Sequence, residues 1–234
     1  MRLIGSILFN IVFYISLIAV SIFILLLRPF LSTKNLQLFS SKWIVFLLYA
    51  LKFFCGISWV VEGRGNIPND ACIVVSNHQG QWESFFIQTL FIPNTSIVKR
   101  ELLLIPFFGW ALRCMKPITL NRANKFSSLK KVIIKGVERL KAGYSIILFP
   151  EGTRIPPEKG IQRFANSCGV LSIESGFKVI PLCHNSGKFW RNKRFVKDPG
   201  EIIVKIGPVI EGKSAKEITQ KSEEWVRKTY NEIN

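Results

Sequence analysis

A chain of 234 residues has room for one α/β domain with a buried core and a membrane segment. Its hydrophobic content of 48% and mean hydropathy of +0.26 are high for a globule in water. The net charge of +17, from 32 Lys and Arg against 15 Asp and Glu, calls for an anionic partner: nucleic acid, an anionic membrane or a phosphorylated substrate. The basic residues form neither a groove helix nor an RNA-binding signature, which speaks against nucleic acid. They are scattered, densest at Lys188–Lys197, and are expected as solvated surface facing anionic headgroups. Five cysteines, Cys55, Cys72, Cys114, Cys168 and Cys183, are odd in number and too dispersed for a metal knuckle or a redox pair, so they read as small core residues in a reducing compartment.

From Leu3 to Leu27 there is no charged residue, a run long enough to cross or deeply enter a hydrocarbon core, which takes about 20 apolar residues. A cleaved signal would have a shorter apolar core and small residues at its end. This run closes on Leu-Leu-Leu-Arg-Pro-Phe, so a retained anchor is expected. A second apolar stretch, Trp43–Val61, contains Lys52 and suits a helix lying on or dipping into a bilayer. Arg2 precedes the first segment, whereas Arg28, Lys34, Lys42 and Lys52 follow it; positive-inside counting places the bulk of the chain on the cytoplasmic face. The expected division is residues 1–61 as membrane-embedded or interfacial helices and 62–234 as a globular domain.

Beyond Glu62, short apolar, β-branched runs predict buried strands at Ala71–Ser76, Thr95–Val98, Pro117–Leu120, Ser145–Phe149, Lys178–Leu182 and Glu201–Ile206. Helical patterns lie between them. Ser127–Lys141 carries Leu129, Val132, Ile133, Val137 and Leu140 on one stripe with lysines opposite, and Gly143 supplies a stop. Cys168–Ser175 is a shorter helix ended by Gly176, and Ser214–Ile233 is a closing helix. Strands alternating with helices predict an α/β fold with a largely parallel sheet flanked by helices.

Two segments can carry chemistry. His78 follows the apolar run Ile73-Val74-Val75-Ser76, where a strand ends and where ligands bind in open α/β sheets. Glu83 lies five residues on. On a regular helix those positions point about 140° apart, but a turn at Gly80 can bring them together. A carboxylate on an imidazole fixes its tautomer and stabilises the imidazolium, as a general base acting on a hydroxyl requires. An acid at that spacing is a common coincidence and proves little alone. The second segment, Phe149-Pro150-Glu151-Gly152-Thr153-Arg154, also follows a strand; Gly152 lets backbone approach a ligand, and Arg154 offers a fork for phosphate. A surface turn with a solvated arginine reads equally well. The other histidine, His184, has no acid nearby in sequence and reads as structural or as a site wall.

Together, His78-Gln79-Gly80-Gln81-Trp82-Glu83 and Phe-Pro-Glu-Gly-Thr-Arg strongly resemble the motifs of the lysophosphatidic acid acyltransferase family within the glycerolipid acyltransferases. Lys99-Arg100-Glu101-Leu102 with Ile105-Pro106-Phe107-Phe108-Gly109-Trp110 resembles the family's second block. Ile118-Thr119-Leu120-Asn121-Arg122 and Val179-Ile180-Pro181-Leu182 resemble its further strands, so the likeness runs from about Ser58 to Pro208. It implies transfer of a fatty acyl group from a thioester, on acyl-carrier protein (acyl-ACP) or coenzyme A (acyl-CoA), to the sn-2 hydroxyl of lysophosphatidic acid. His78 and Glu83 would be catalytic. Lys99, Arg122, Glu151, Gly152, Thr153 and Arg154 would bind substrate, with Lys99 and backbone N–H groups near Gly80 as candidate oxyanion donors. No metal and no cofactor beyond the thioester co-substrate are expected.

The chain departs from the family pattern twice. Glu83 stands where aspartate is usual, and Phe164-Ala165-Asn166-Ser167 stands where many members carry Lys-x-Gly. Another acceptor, such as glycerol-3-phosphate, a different lysophospholipid or an acylated amino-acid lipid, therefore stays open. A silent protein binding anionic lipid is opposed by the intact His78/Glu83 pair, and a hydrolase by the lack of a Gly-x-Ser-x-Gly elbow.

Overall fold

The structure, a computed structural model, describes residues 1–120 and 125–234. In chain order the elements are α1 (Arg2–Leu27), α2 (Thr33–Cys55), β1 (Ile57–Glu62), β2 (Ile73–Ser76), α3 (Trp82–Leu90), β3 (Asn94–Lys99), α4 (Phe108–Cys114), β4 (Ile118–Leu120), α5 (Lys125–Lys141), β5 (Ser145–Leu148), α6 (Ser167–Ser175), β6 (Val179–His184), β7 (Gly200–Ile206) and α7 (Ala215–Ile233). The six expected strands and three expected globular helices are all present, with ends shifted by a residue or two.

The strands form one sheet in the order β1-β7-β6-β2-β5-β3-β4. β6 and β7 pair antiparallel; the remaining named pairs are parallel, as expected. Strands β2, β5 and β6 are buried along their whole length, which is why they read as continuous apolar runs. Their side chains alternate between two cores. Ile73 and Val75 of β2 join Ile146, Leu148, Val132, Leu171 and Val226 on the face covered by α5, α6 and α7. Val74 joins Ile147, Ile180, Leu182, Trp82 and Phe86 on the other.

That second core extends into the N-terminal helices. Phe9 and Phe13 of α1 and Ile44, Leu47, Leu48 and Leu51 of α2 belong to the same buried cluster as Val74 and Ile180. The hairpin of α1 and α2 is therefore a layer of the fold, and the expected division at residue 61 gives way to a continuous core. The stretch Trp43–Val61 also divides internally. Gly56 adopts a left-handed conformation (φ 66°) and its N–H closes α2 on the Lys52 carbonyl, a helix stop for which glycine is favoured. Ile57–Glu62 then pairs with β7 as an edge strand, so the sheet begins before residue 62.

Both ends of α1 are held by the globular part. Near its start Arg2 pairs with Asp198 at 3.2 Å and the Ser6 hydroxyl accepts the Lys197 N–H. Near its end Val20 and Ile24 pack on Ala111 of α4. Lys197, expected as solvated surface, is instead buried. Its ammonium donates to Asn10 Oδ1 at 3.2 Å and to the Phe195 carbonyl, over the rings of Phe9 and Trp190, each 5.2 Å away. A lysine with its charge satisfied by dipoles and aromatic faces can be buried where a solvated one could not.

The outer faces of the hairpin remain apolar and exposed: Leu3, Ile7, Ile11, Ile15, Ile18 and Phe23 on α1, with Phe46 and Phe53 on α2. Both helices are long and apolar enough to cross a membrane, and so much uncovered apolar surface suits contact with lipid. Gly5 allows the two helices to touch, since a Cβ there would lie 2.0 Å from the Phe54 carbonyl oxygen. Gly5→Ala is expected to cost about 1–3 kcal/mol and to lower the melting temperature in detergent by several degrees. An unchanged melting curve would show that the contact is not tight.

Candidate active site

Strands β6, β2, β5, β3 and β4 are linked by parallel pairings, so they end along one edge of the sheet. That edge receives His184 from β6, His78 from the loop after β2, Glu151–Arg154 from the loop after β5 and Lys99 from the end of β3. Crevices at such edges are where α/β sheets hold ligands.

The chain leaves β2 at Ser76, runs through Asn77-His78-Gln79-Gly80-Gln81 and enters α3 at Trp82. Glu83 therefore sits in the first turn of α3 while His78 precedes the helix, and the two meet because the chain bends back between them. His78 Nδ1 lies 2.9 Å from Glu83 Oε1. The same oxygen accepts the N–H of Gln79 at 2.8 Å and of Gly80 at 2.6 Å. Glu83 Oε2 accepts the Ser186 hydroxyl at 2.9 Å. Glu83 has no exposed surface. Burial alone would raise its pKa; the hydrogen bond and attraction of the His78 ring, with the Gly80 N–H, outweigh it and hold the carboxyl well below the ordinary carboxylate range. A buried carboxylate is tolerated when its lone pairs are met this completely.

Gly80 is needed for a different reason from the one expected. Its φ is not among the positive values in the chain. A Cβ at this position would lie 2.7 Å from the Trp190 carbonyl oxygen, so the residue provides room rather than a left-handed turn. The N–H groups of Gln79 and Gly80 are likewise committed to Glu83, which removes them as the expected oxyanion donors.

The second segment clamps the first. Glu151 Oε2 accepts the His78 N–H at 2.8 Å, and Glu151 Oε1 accepts the Gln162 N–H at 3.0 Å. The Ile155 N–H donates back to the His78 carbonyl at 2.8 Å. Burial pushes the Glu151 pKa up, opposed by those two N–H groups. Phe149 stacks on the His78 ring at 4.2 Å between centroids and 19° between planes. Glu151, expected to shape a substrate pocket, thus holds the backbone of His78. With Nδ1 bound to Glu83, Nε2 is the ring nitrogen placed to accept a proton.

The remaining candidates fall around this centre. Gly152 (φ 71°) and Thr153 form an exposed turn, and half-buried Arg154 donates from Nη1 to Asn192 Oδ1 at 3.3 Å. Lys99 is exposed at the end of β3, with β5 between its strand and that of His78. Arg122 lies outside the described residues. Ala165, at the position of the family's lysine, is exposed and donates its N–H to the Pro150 carbonyl, so the segment still supports the turn before Glu151.

His184, expected as structural or a site wall, and residues outside the expected catalytic and binding set complete the site. Asn77 and His184 are mutually clamped: Asn77 Nδ2 donates to the His184 carbonyl at 2.9 Å, and the His184 N–H donates to Asn77 Oδ1 at 3.1 Å. Gln79 donates to the Tyr230 hydroxyl of α7 at 2.7 Å and accepts the Gly187 N–H at 3.1 Å. The only sequence signal for these was the polar run His184-Asn185-Ser186-Gly187 directly after an apolar strand.

Comparison with known proteins gives the family of the chain. Residues 58–185 match the family model described as Acyltransferase, a span that contains every candidate residue. The chain is 39% identical over 198 residues to the 1-acyl-sn-glycerol-3-phosphate acyltransferase of Pseudomonas aeruginosa, covering 82% of this chain and 77% of that one. It is 28% identical over 167 residues to the enzyme of the same name from Salmonella typhimurium, covering 70% of this chain and 64% of the relative. The crystal structure of the 1-acyl-sn-glycerophosphate (LPA) acyltransferase PlsC from Thermotoga maritima superimposes with a TM-score of 0.83 at 25% identity, over 99% of this chain and 95% of that one. The matched family model and the 39% identical relative make the chain a member of the acyltransferase family, with the strand-end histidine and its buried glutamate inside the matched span.

Proposed function

We propose that the chain transfers a fatty acyl group from a thioester, acyl-CoA or acyl-ACP, to the sn-2 hydroxyl of lysophosphatidic acid, forming phosphatidic acid. The observation that carries this reading is the 2.9 Å contact between His78 Nδ1 and the buried Glu83 carboxylate, in a chain 39% identical to a relative named for that activity. His78 Nε2 takes the proton of the acceptor hydroxyl as its oxygen attacks the thioester carbonyl. The imidazolium is stabilised by Glu83. When the tetrahedral intermediate collapses, the C–S bond breaks and the proton passes from His78 to the departing sulfur. No covalent acyl-enzyme is required, since the acceptor oxygen is the nucleophile.

Arg154 is the fork for the acceptor's phosphate, a role the family resemblance also implies for Arg122, and Lys99 is the remaining candidate oxyanion donor. The apolar outer faces of α1 and α2 support a seat at the bilayer, where a lysolipid resides. The basic residues that follow α1 support a catalytic domain on the cytoplasmic face. The net charge of +17 favours an anionic leaflet.

His78→Ala should abolish transfer while vesicle binding persists. The measurement is product formation by mass spectrometry from a panel of lysolipids, glycerol-3-phosphate and both acyl donors. Near-normal turnover in that variant, or a wild-type preference for an acceptor lacking phosphate, would overturn the proposal. Glu83→Gln keeps size but brings an amide against three N–H donors, and should lower kcat by roughly 10³–10⁴-fold, by analogy with loss of the orienting acid in a triad. Arg154→Ala should act mainly on KM for the acceptor, by roughly 10-fold or more, as expected for loss of a charge-assisted contact. An unchanged acceptor KM would remove the phosphate role.

A further inference from the structure

The second histidine takes no part in the reaction written above, yet it is buried beside it. His184 closes β6 with no exposed surface. Its Nε2 lies 2.9 Å from the Asn77 carbonyl oxygen. A carbonyl can only accept, so Nε2 carries the proton and Nδ1 presents a lone pair. That lone pair faces the Ser186 hydroxyl at 3.0 Å and the Ser186 N–H at 3.3 Å. The same hydroxyl is 2.9 Å from Glu83 Oε2. One hydroxyl proton therefore stands between two acceptors. The carboxylate is the stronger because it is charged, but a lone pair as close on the other side draws on the same proton.

We propose that Ser186 and His184 are positioning residues that set the proton affinity of His78, Ser186 by donating to Glu83 and His184 by competing for that donation while holding Asn77. This rests on the reading of His78 as the base. The more fully Ser186 donates, the weaker Glu83 becomes as a partner for the His78 proton; the less it donates, the more tightly the pair holds that proton. His184 must be neutral for this, and burial holds its ring below the ordinary imidazole range against the pull of Glu83. The other titratable groups at the site are few. Glu83 faces His78 from its own loop, His184 from β6 and Glu151 from the loop after β5. Cys183 of β6 and Tyr230 of α7 stand behind them, both kept neutral by burial, and Lys205, Glu158 and Glu232 act on these two.

The two residues therefore pull in opposite directions. In Ser186→Ala the carboxylate loses a donor, so the acid limb of the kcat/KM–pH profile, which reports the base in the free enzyme, should move to higher pH. A shift of about one unit or less is expected, since one lost hydrogen bond to a charged group is worth about 1–2 units at Glu83 and only part of it reaches His78. In His184→Gln the amide NH2 keeps a donor for the Asn77 carbonyl, while its oxygen is a weaker acceptor than the imidazole nitrogen, so Ser186 donates more fully to Glu83 and the limb should move the other way, by less. KM for both substrates should stay within about twofold, because neither side chain meets substrate. The profiles are measured on the full chain in mixed micelles, with thermal melts alongside.

Limbs that move in the same direction, an unmoved limb in Ser186→Ala, or a loss confined to KM would overturn the inference. A purely structural role would lower activity without displacing the limb. If His184→Gln does not melt cooperatively, the Ser186→Ala profile decides alone, since that change removes a single oxygen. His78→Ala in the same assay separates the two levels. Activity in that variant overturns the base assignment and this inference with it, whereas inactivity combined with unmoved limbs overturns only the positioning role.

Discussion

The site depends on one buried carboxylate. Glu83 places both its oxygens against donors, three on Oε1 and the Ser186 hydroxyl on Oε2. An ionised group with no exposed surface survives only where its lone pairs are met. Two donors are backbone N–H groups of the loop that Glu83 itself follows, so the loop cannot change shape without stranding the charge. The bend that brings His78 to Glu83 and the charge that makes the contact useful are thus the same feature. The Glu151 carboxylate repeats the device one strand over, fastening the His78 N–H to the loop after β5.

The sheet explains why these loops can meet. Parallel neighbours β6, β2 and β5 finish on one edge, so three polar segments distant in sequence emerge side by side. Each strand is buried on both faces and contributes nothing polar until it ends. The chemistry therefore begins where hydrogen bonding to the sheet stops, at Asn77, Phe149 and Asn185. The reciprocal bonds between Asn77 and His184 continue the β2–β6 pairing past the strand ends, and this keeps the edge from fraying at the place where a base must be held still.

What could be read from the sequence follows from the range of each interaction. The central strands were legible because a strand buried on both faces must be apolar throughout, as Ile73-Val74-Val75 and Ile146-Ile147-Leu148 are. The His78/Glu83 pair was legible because the partners lie five residues apart in sequence. Strand β1 was not, since Trp59, Val60 and Val61 continue the apolar run of α2 and only Gly56 marks the break. Ser186 was not legible either: its partner Glu83 lies 103 residues away, and nothing in a hydroxyl's own neighbourhood announces a carboxylate across the sheet. His184 looked isolated for the same reason, judged by acids near it in sequence. Lys197 looked solvated because charge is the only property a sequence displays, whereas its burial depends on aromatic rings contributed by α1 and the loop before it.

The choice of glutamate, the position of Trp190 and the N-terminal hairpin belong to one packing problem. A side chain rooted in the first turn of α3 must reach back to the Gln79 and Gly80 N–H groups and also across to Ser186; the extra methylene of glutamate over aspartate supplies that reach. Reaching back draws the loop against the Trp190 carbonyl, and a Cβ at residue 80 would lie 2.7 Å from that oxygen, so only glycine fits. Trp190 is in turn fixed edge-on by Phe9 at 5.3 Å and Phe13 at 6.1 Å and by the Lys197 ammonium. The helix whose outer face suits lipid thus uses its inner face to hold the wall of the loop that carries the base. Tight cores transmit such constraints because they have no slack. An enzyme whose acceptor lies in a bilayer gains from this arrangement, since the helix whose outer face suits lipid also fixes where the imidazole stands.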